Sequence, residues 1–150
     1  MMQAITGPDL RALAAALYRA ARCAQVLSTD DPLELPASRV LATVVRRGPV
    51  RPSVVAQDGH IDLSTASRHI DTLVRQGFVA KSADPDDARA TLVEVTEQGR
   101  AVLAVVLANR SAVIDAALAQ WEPNDRDRLS ALLVRLADDL EALIGKESRQ

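Results

Sequence analysis

Aromatic residues and cysteine are both scarce in this chain. One Trp, one Tyr and one Phe serve 150 residues, so a core has to be built from Ala, Val, Leu and Ile, which favours closely packed helices. The single cysteine, Cys23, excludes an intramolecular disulfide and a cysteine-based zinc cage, and it fits a reducing compartment. Six Gly and seven Pro are too few for a disordered or collagen-like chain. No uninterrupted apolar run exceeds Ala101 to Ala108, far short of the ~20 residues that span a bilayer. Met1 to Pro8 has neither a basic start nor a long apolar stretch and does not read as a secretion signal. Lysine is rare as well: sixteen of the eighteen basic residues are Arg. With abundant Ala and Val this suggests a GC-rich bacterial genome, and the expectation is a cytoplasmic bacterial protein.

The formal net charge is −2, which argues against an unspecific nucleic-acid coat. A sequence-specific reader stays open, because local charge decides there. Residues 39–100 hold nine Arg or Lys against eight Asp or Glu, and the remainder holds nine against twelve.

What the chain does have is helical periodicity. Gly7-Pro8-Asp9 opens a helix whose Leu10, Leu13, Leu17, Ala21, Ala24 and Leu27 recur at spacings of three and four. Ser28-Thr29-Asp30-Asp31-Pro32 ends it. Pro36 opens a second helix carrying Val40, Leu41, Val44 and Val45, and Gly48-Pro49 stops it. Pro52-Ser53 starts a short third, followed by an Asp58-Gly59-His60 turn. Ser64 is the expected N-cap of a fourth, with Ala66, Ile70, Leu73 and Val74 inward and Gly77 closing it. Phe78–Ala83 and Ala90–Val95 then read as strands around a polar turn, Asp84 to Arg89. Thr96 caps a long helix over 97–120, and Pro123 starts the last, with Leu129, Leu132, Leu133, Leu136, Leu140, Leu143 and Ile144 on one stripe.

Helix, turn, helix and hairpin in that order make a mainly α, winged helix-turn-helix fold. Residues 36–96 form that domain; 1–35 and 97–150 form long N- and C-terminal helical extensions. The apolar stripes of the extensions exceed what so small a domain can cover, which points to dimerisation.

If Ala66, Ile70, Leu73 and Val74 face inward, Thr65, Arg68, His69 and Thr72 face out, flanked by Ser64 and Ser67. An α-helix fits the major groove of DNA, where Arg pairs bidentately with guanine and hydroxyls reach phosphates or base edges. Lys81 lies on the first strand and Arg89 at the end of the turn, where an Arg can enter a narrow minor groove. Asp86 or Asp87 could hold that guanidinium in an ion pair.

Leu73-Val74-Arg75-Gln76-Gly77-Phe78-Val79 followed by Asp84-Pro85-Asp86-Asp87-Ala88-Arg89 resembles the multiple-antibiotic-resistance regulator (MarR) family. Asp87-x-Arg89, five residues, Val95-Thr96 and Gly99 is similar to its wing signature, and Ser64-Thr65-Ala66-Ser67-Arg68 to the start of its recognition helix. The resemblance, over about residues 10–144, implies a homodimer on a double-stranded pseudo-palindromic operator. It implies a recognition helix at 63–76, a wing at 78–95, and many members that are repressors released by a small amphipathic or phenolic effector. The DNA contacts it implies are Ser64, Thr65, Ser67, Arg68, His69, Arg75, Lys81, Asp87 and Arg89, with Arg89 at the wing tip and Asp87 supporting it. An effector crevice would involve Tyr18, Arg22, Thr43 and Arg47. One departure concerns the turn before the recognition helix: the family has an apolar residue followed by Gly, and this chain has Gly59 followed by His60.

Other residues carry less. Cys23 reads as an inert buried thiol, since Tyr18 is the only tyrosine available to assist a redox role. His60 and His69, with Asp58, Asp62 and Asp71 nearby, read as polar surface residues rather than metal ligands. Trp121 is expected at a subunit interface. No catalytic constellation and no cofactor motif stands out, so no enzyme is expected. The alternative is a winged-helix protein-interaction module that has lost DNA binding, suggested by the acidic balance and the Gly59-His60 turn.

Overall fold

The computed structural model describes residues 9–27 and 31–147, without the side chains of 27, 88 and 145–147. The Gly7-Pro8 start and the Ser28-Thr29-Asp30 stop expected around the first helix lie outside the described residues. The elements run α1 (Leu10–Leu27), α2 (Leu35–Arg47), α3 (Pro52–Gly59), α4 (Leu63–Arg75), β1 (Val79–Asp84), β2 (Asp87–Val95), α5 (Glu97–Ala117) and α6 (Pro123–Glu147). The fold is mainly helical with one small antiparallel sheet.

The chain divides into two units, Met1–Val113 and Ile114–Gln150. In the first, the core is aliphatic, as the shortage of aromatics requires. Leu41 and Val44 of α2, Val55 of α3, Ile70 and Leu73 of α4, Val93 of β2 and Val106 of α5 are all buried. Each such side chain stabilises the fold by about 1.5–3 kcal/mol. Val50 pairs with Val93 through both backbone hydrogen bonds, at 3.0 and 2.8 Å. The segment between α2 and α3 is thereby attached to the sheet as a third rung.

Two expectations about helix ends are corrected. Asp58 and Gly59 belong to α3 rather than to a turn, and His60 alone turns the chain, with φ 49° and ψ 43°. A glycine would take that left-handed conformation more easily; here it stands one position too early. The N-cap of α4 is Asp62, not Ser64. The Asp62 carboxylate accepts the Thr65 amide at 2.8 Å and the Thr65 hydroxyl at 2.7 Å, and Ser64 Oγ also donates to it. Ser64 sits in the first turn. A carboxylate at the cap meets both the free amides and the positive end of the helix.

Asp31 and Ser38 flank the start of α2, and both are tied to α5. Arg110 Nε donates to Asp31 Oδ2 at 3.0 Å and Arg110 Nη2 to Ser38 Oγ at 2.9 Å, while Asn109 Nδ2 donates to Asp31 Oδ1 at 3.1 Å.

The end of the signature explains itself structurally. Thr96 Oγ1 donates to Gly77 O at 2.6 Å and accepts the Gly99 amide at 3.1 Å. A Cβ on Gly99 would run into the carbonyl of Phe78. Thr96 and Gly99 therefore clamp the start of α5 onto the end of α4. α5 stops at Ala117, short of the expected 120.

In the second unit, α6 begins at Pro123 as expected. Arg126 Nη1 lies 3.6 Å from Asp115 Oδ1. Trp121 is half exposed, and Ile114, Leu132, Leu133, Leu140 and Leu143 are exposed. In the first unit α1 is equally bare: of its described side chains only Ala24 is better than exposed. Cys23, expected to be buried, is exposed.

Candidate nucleic-acid interface

The buried face of α4 is Ala66, Ile70 and Leu73. Fixing that face inward fixes the opposite one outward. Thr65, Arg68, Thr72 and Arg75 recur along α4 at steps of three and four and are joined by hydrogen bonds. Arg68 Nη2 donates to Thr65 Oγ1 at 3.2 Å, Thr72 Oγ1 to the Arg68 carbonyl at 3.0 Å, and Arg75 Nη2 to Thr72 Oγ1 at 3.0 Å. Arg68 and Arg75 are exposed, and Ser67 and His69 half-buried. The row begins at Asp62, whose carboxyl is held far below the usual range by the hydroxyls of Ser64 and Thr65 and by the Thr65 amide. Asp62 thus orients Thr65, which in turn holds Arg68.

The wing differs from the expectation at its tip. The turn is only Pro85-Asp86. Ala83 pairs with Thr91, and the next residue, Asp84, pairs with Asp87. Ala88, Arg89 and Ala90 therefore stand opposite no residue of β1. Arg89 is the middle of this bulge on β2, rather than the last residue of a turn. Bulges bend a strand and re-aim its side chains. Arg89 is exposed, and its guanidinium has no partner among the described residues.

The expected ion pair between Asp86 or Asp87 and that guanidinium is absent. Asp87 Oδ1 instead accepts the backbone amide of Arg89 at 3.1 Å. It supports Arg89 by holding its backbone. Lys81 is also not free: its Nζ lies 2.6 Å from Asp71 Oδ1 on α4. That contact holds the Asp71 carboxyl below its ordinary value.

Two residues that sequence reasoning missed hold the wing. Asp84 is 7 % exposed, and its Oδ2 accepts Arg51 Nε at 2.7 Å, with Arg51 Nη2 2.6 Å away in the same ion pair. Its Oδ1 accepts the Asp86 amide at 2.9 Å. The Asp86 amide first, then the Arg51 guanidinium, hold the Asp84 carboxyl below the usual range.

Of the four suggested effector contacts, two are engaged within the chain and two are exposed. Thr43 Oγ1 donates to the Arg39 carbonyl within α2 at 3.2 Å. Arg47 grips Asp58 with two bonds, Nε to Oδ2 at 2.7 Å and Nη2 to Oδ1 at 2.9 Å. Tyr18 and Arg22 lie exposed on α1. A cleft of about 480 Å³ lies between the approach to α2 (Pro32, Leu33, Glu34, Ala37) and the outer side of α4 (Arg68, His69, Thr72, Gln76).

A buried aliphatic core, a helix presenting hydroxyls and guanidinium groups, and a two-stranded wing together define the architecture. A sequence profile of the MarR family matches residues 33–91, which span α2 to the wing. That stretch of the chain is similar to the MarR family. The fold is that of a winged helix-turn-helix. Likeness to known regulators extends beyond the matched stretch. The chain is 26 % identical to the HTH-type transcriptional regulator Mb0904 of Mycobacterium bovis, over 91 % of this chain and 92 % of that one. It is 27 % identical to the HTH-type regulator YxaD of Bacillus subtilis, over 59 % of this chain and 62 % of that protein, so the chain spans less than two thirds of YxaD. Among solved structures, a probable transcriptional regulator from Pseudomonas aeruginosa superposes with a TM-score of 0.67 at 27 % identity, covering 82 % of this chain and 95 % of the other. Bordetella bronchiseptica BpsR, whose DNA binding is regulated by 6-hydroxynicotinic acid, superposes with a TM-score of 0.66 at 22 % identity, covering 83 % and 98 %.

Proposed function

We propose that this protein is a MarR-family transcription regulator, a cytoplasmic, homodimeric, ligand-responsive repressor of a pseudo-palindromic operator. The observation that carries the proposal is the outward row Thr65, Arg68, Thr72 and Arg75 on α4, with Arg89 in the wing bulge of the same subunit. The row enters the major groove, with Arg68 on base edges and Ser64 and Ser67 on phosphates. Arg89 follows the minor groove, where a lone guanidinium is attracted by the enhanced negative potential.

Dimerisation is supported by α1. A free helix of its length is marginal in water, and Leu10, Leu13 and Leu17 have little of their own chain over them. Leu132, Leu133, Leu140 and Leu143 on α6 are equally uncovered. A second copy is the occupant that suits a symmetric operator, setting two α4 helices ~34–36 Å apart.

We assign the effector to the cleft beside α4 rather than to Tyr18, Arg22, Thr43 and Arg47, since Thr43 and Arg47 are already engaged inside the chain. Its volume suits a small aromatic acid, the class to which the regulator of BpsR belongs. An occupant there touches Arg68 and Thr72, so it and DNA compete for the same helix face, a direct coupling between the two ligands.

Sequencing of genomic fragments retained by the purified protein tests the proposal. Recovery of a short two-fold motif near a few promoters is expected. Retention without any common motif, together with capture of a protein partner, contradicts it in favour of an interaction module.

A further inference from the structure

Three carboxylates, Asp84, Asp86 and Asp87, crowd the tip of a wing that carries a single free cation, Arg89, among the described residues. Left alone, that turn would be repelled by a phosphate backbone. One residue outside the wing answers the charge. Arg51 directs Nε and Nη2 at Asp84 Oδ2, at 2.7 and 2.6 Å, and its Nη2 lies 3.9 Å from Asp87 Oδ2.

The backbone of Arg51 is as constrained as its side chain. It is the N-cap of α3, and its carbonyl accepts the amides of Val54 and Val55 at 3.0 and 3.2 Å. The preceding residue, Val50, is laddered to Val93 of β2. Arg51 therefore stands where the helix-turn-helix and the sheet meet, and it reaches the turn from there. On the other side of the turn, Asp87 holds the amide of Arg89.

We propose that Arg51, acting through Asp84, is the positioning residue that sets the wing tip against DNA. The Arg51–Asp84 pair anchors the base of the turn, lowers the local negative charge and fixes the direction in which the bulge presents Arg89. The proposal rests on the DNA-binding reading of the wing, and it assigns to the start of α3 a control over minor-groove contact.

A double-mutant cycle tests it. The probe is a duplex selected by the parent protein from a random-sequence pool, and the readout is its dissociation constant by fluorescence anisotropy. Arg89→Ala is expected to weaken binding about tenfold in the parent. In an Arg51→Gln background the same change is expected to cost less than about threefold, because the guanidinium is already misdirected. Asp84→Asn, which keeps the shape of the turn, is expected to give the same shortfall. Arg51→Lys is expected to restore the full Arg89→Ala loss, because both Arg nitrogens converge on one oxygen and a point charge can replace them. Losses that simply multiply in both backgrounds overturn the positioning role while leaving the wing on DNA. An Arg89→Ala variant that binds like the parent removes the wing from the interface, and the inference falls with it.

Discussion

Lys81 Nζ lies 2.6 Å from Asp71 Oδ1, joining the first strand of the wing to α4. Both side chains are partly exposed, so the pair adds little to stability. Its consequence is electrostatic. On the proposed DNA-facing side Asp71 neutralises a cation, and under that proposal removing its charge frees Lys81 for a phosphate. Asp71→Asn is therefore expected to tighten DNA binding by about threefold to tenfold and to steepen the salt dependence by about one released counterion. Anisotropy titrations between ~50 and ~200 mM salt measure both. An unchanged slope would mean that Lys81 does not approach the backbone.

His60 turns the chain in a left-handed conformation that disfavours a side chain. His60→Gly is expected to stabilise the fold by about 0.5–1 kcal/mol, after the extra chain entropy of glycine is subtracted. That corresponds to a rise in Tm of about 1–4 °C. Thermal denaturation of the two proteins checks this, and an equal or lower Tm for the variant counts against it.

Asp62→Ala removes the cap of α4 and is expected to lower Tm by about 2–4 °C at neutral pH. The pH dependence follows from the direction of the shift. The hydroxyls of Ser64 and Thr65 and the Thr65 amide depress the Asp62 carboxyl in the folded protein. Its contribution is complete above the unfolded value of about 3.9 and is lost as the pH falls toward the folded one. The Tm gap between parent and variant should narrow progressively below about pH 4. A gap that stays constant down to the acid limit would show that the charge of Asp62 contributes nothing.

Leu133 and Leu140 are exposed on α6. Leu133→Asp with Leu140→Asp is expected to convert a dimer of twice the 16.1 kDa chain mass into a monomer at micromolar concentration, and to weaken operator binding by more than about tenfold through lost bivalency. Analytical ultracentrifugation reads the mass. A parent protein that sediments as a monomer would contradict the dimer outright.

Much of this was legible because it was local or periodic. Ala66, Ile70, Leu73 and Val74 set the inward face of α4 by spacing alone, and that placed Thr65 and Arg68 outward. Pro36 and Pro123 marked helix starts through their fixed φ and missing amide. The cap of α4 was misread because Asp62 and Ser64 both have side chains suited to the task, and only the backbone shows which amide each can reach. The wing bulge was invisible, since register depends on pairing rather than on composition. The Arg51–Asp84 contact joins residues 33 apart, with no local pattern to announce it. Burial of Cys23 was expected because a lone tyrosine argued against a redox role, but α1 is bare in the single chain.

The central claim is that two subunits set α4 and the Arg89 wing on one side of a duplex at its own pitch. Hydroxyl-radical footprinting on the selected duplex tests it most directly. The account predicts two equal protected patches related by a two-fold axis, their centres about 10–10.5 base pairs apart, with the outer edges of both patches lost in Arg89→Ala. A single undivided patch, or edges that survive that substitution, would contradict it.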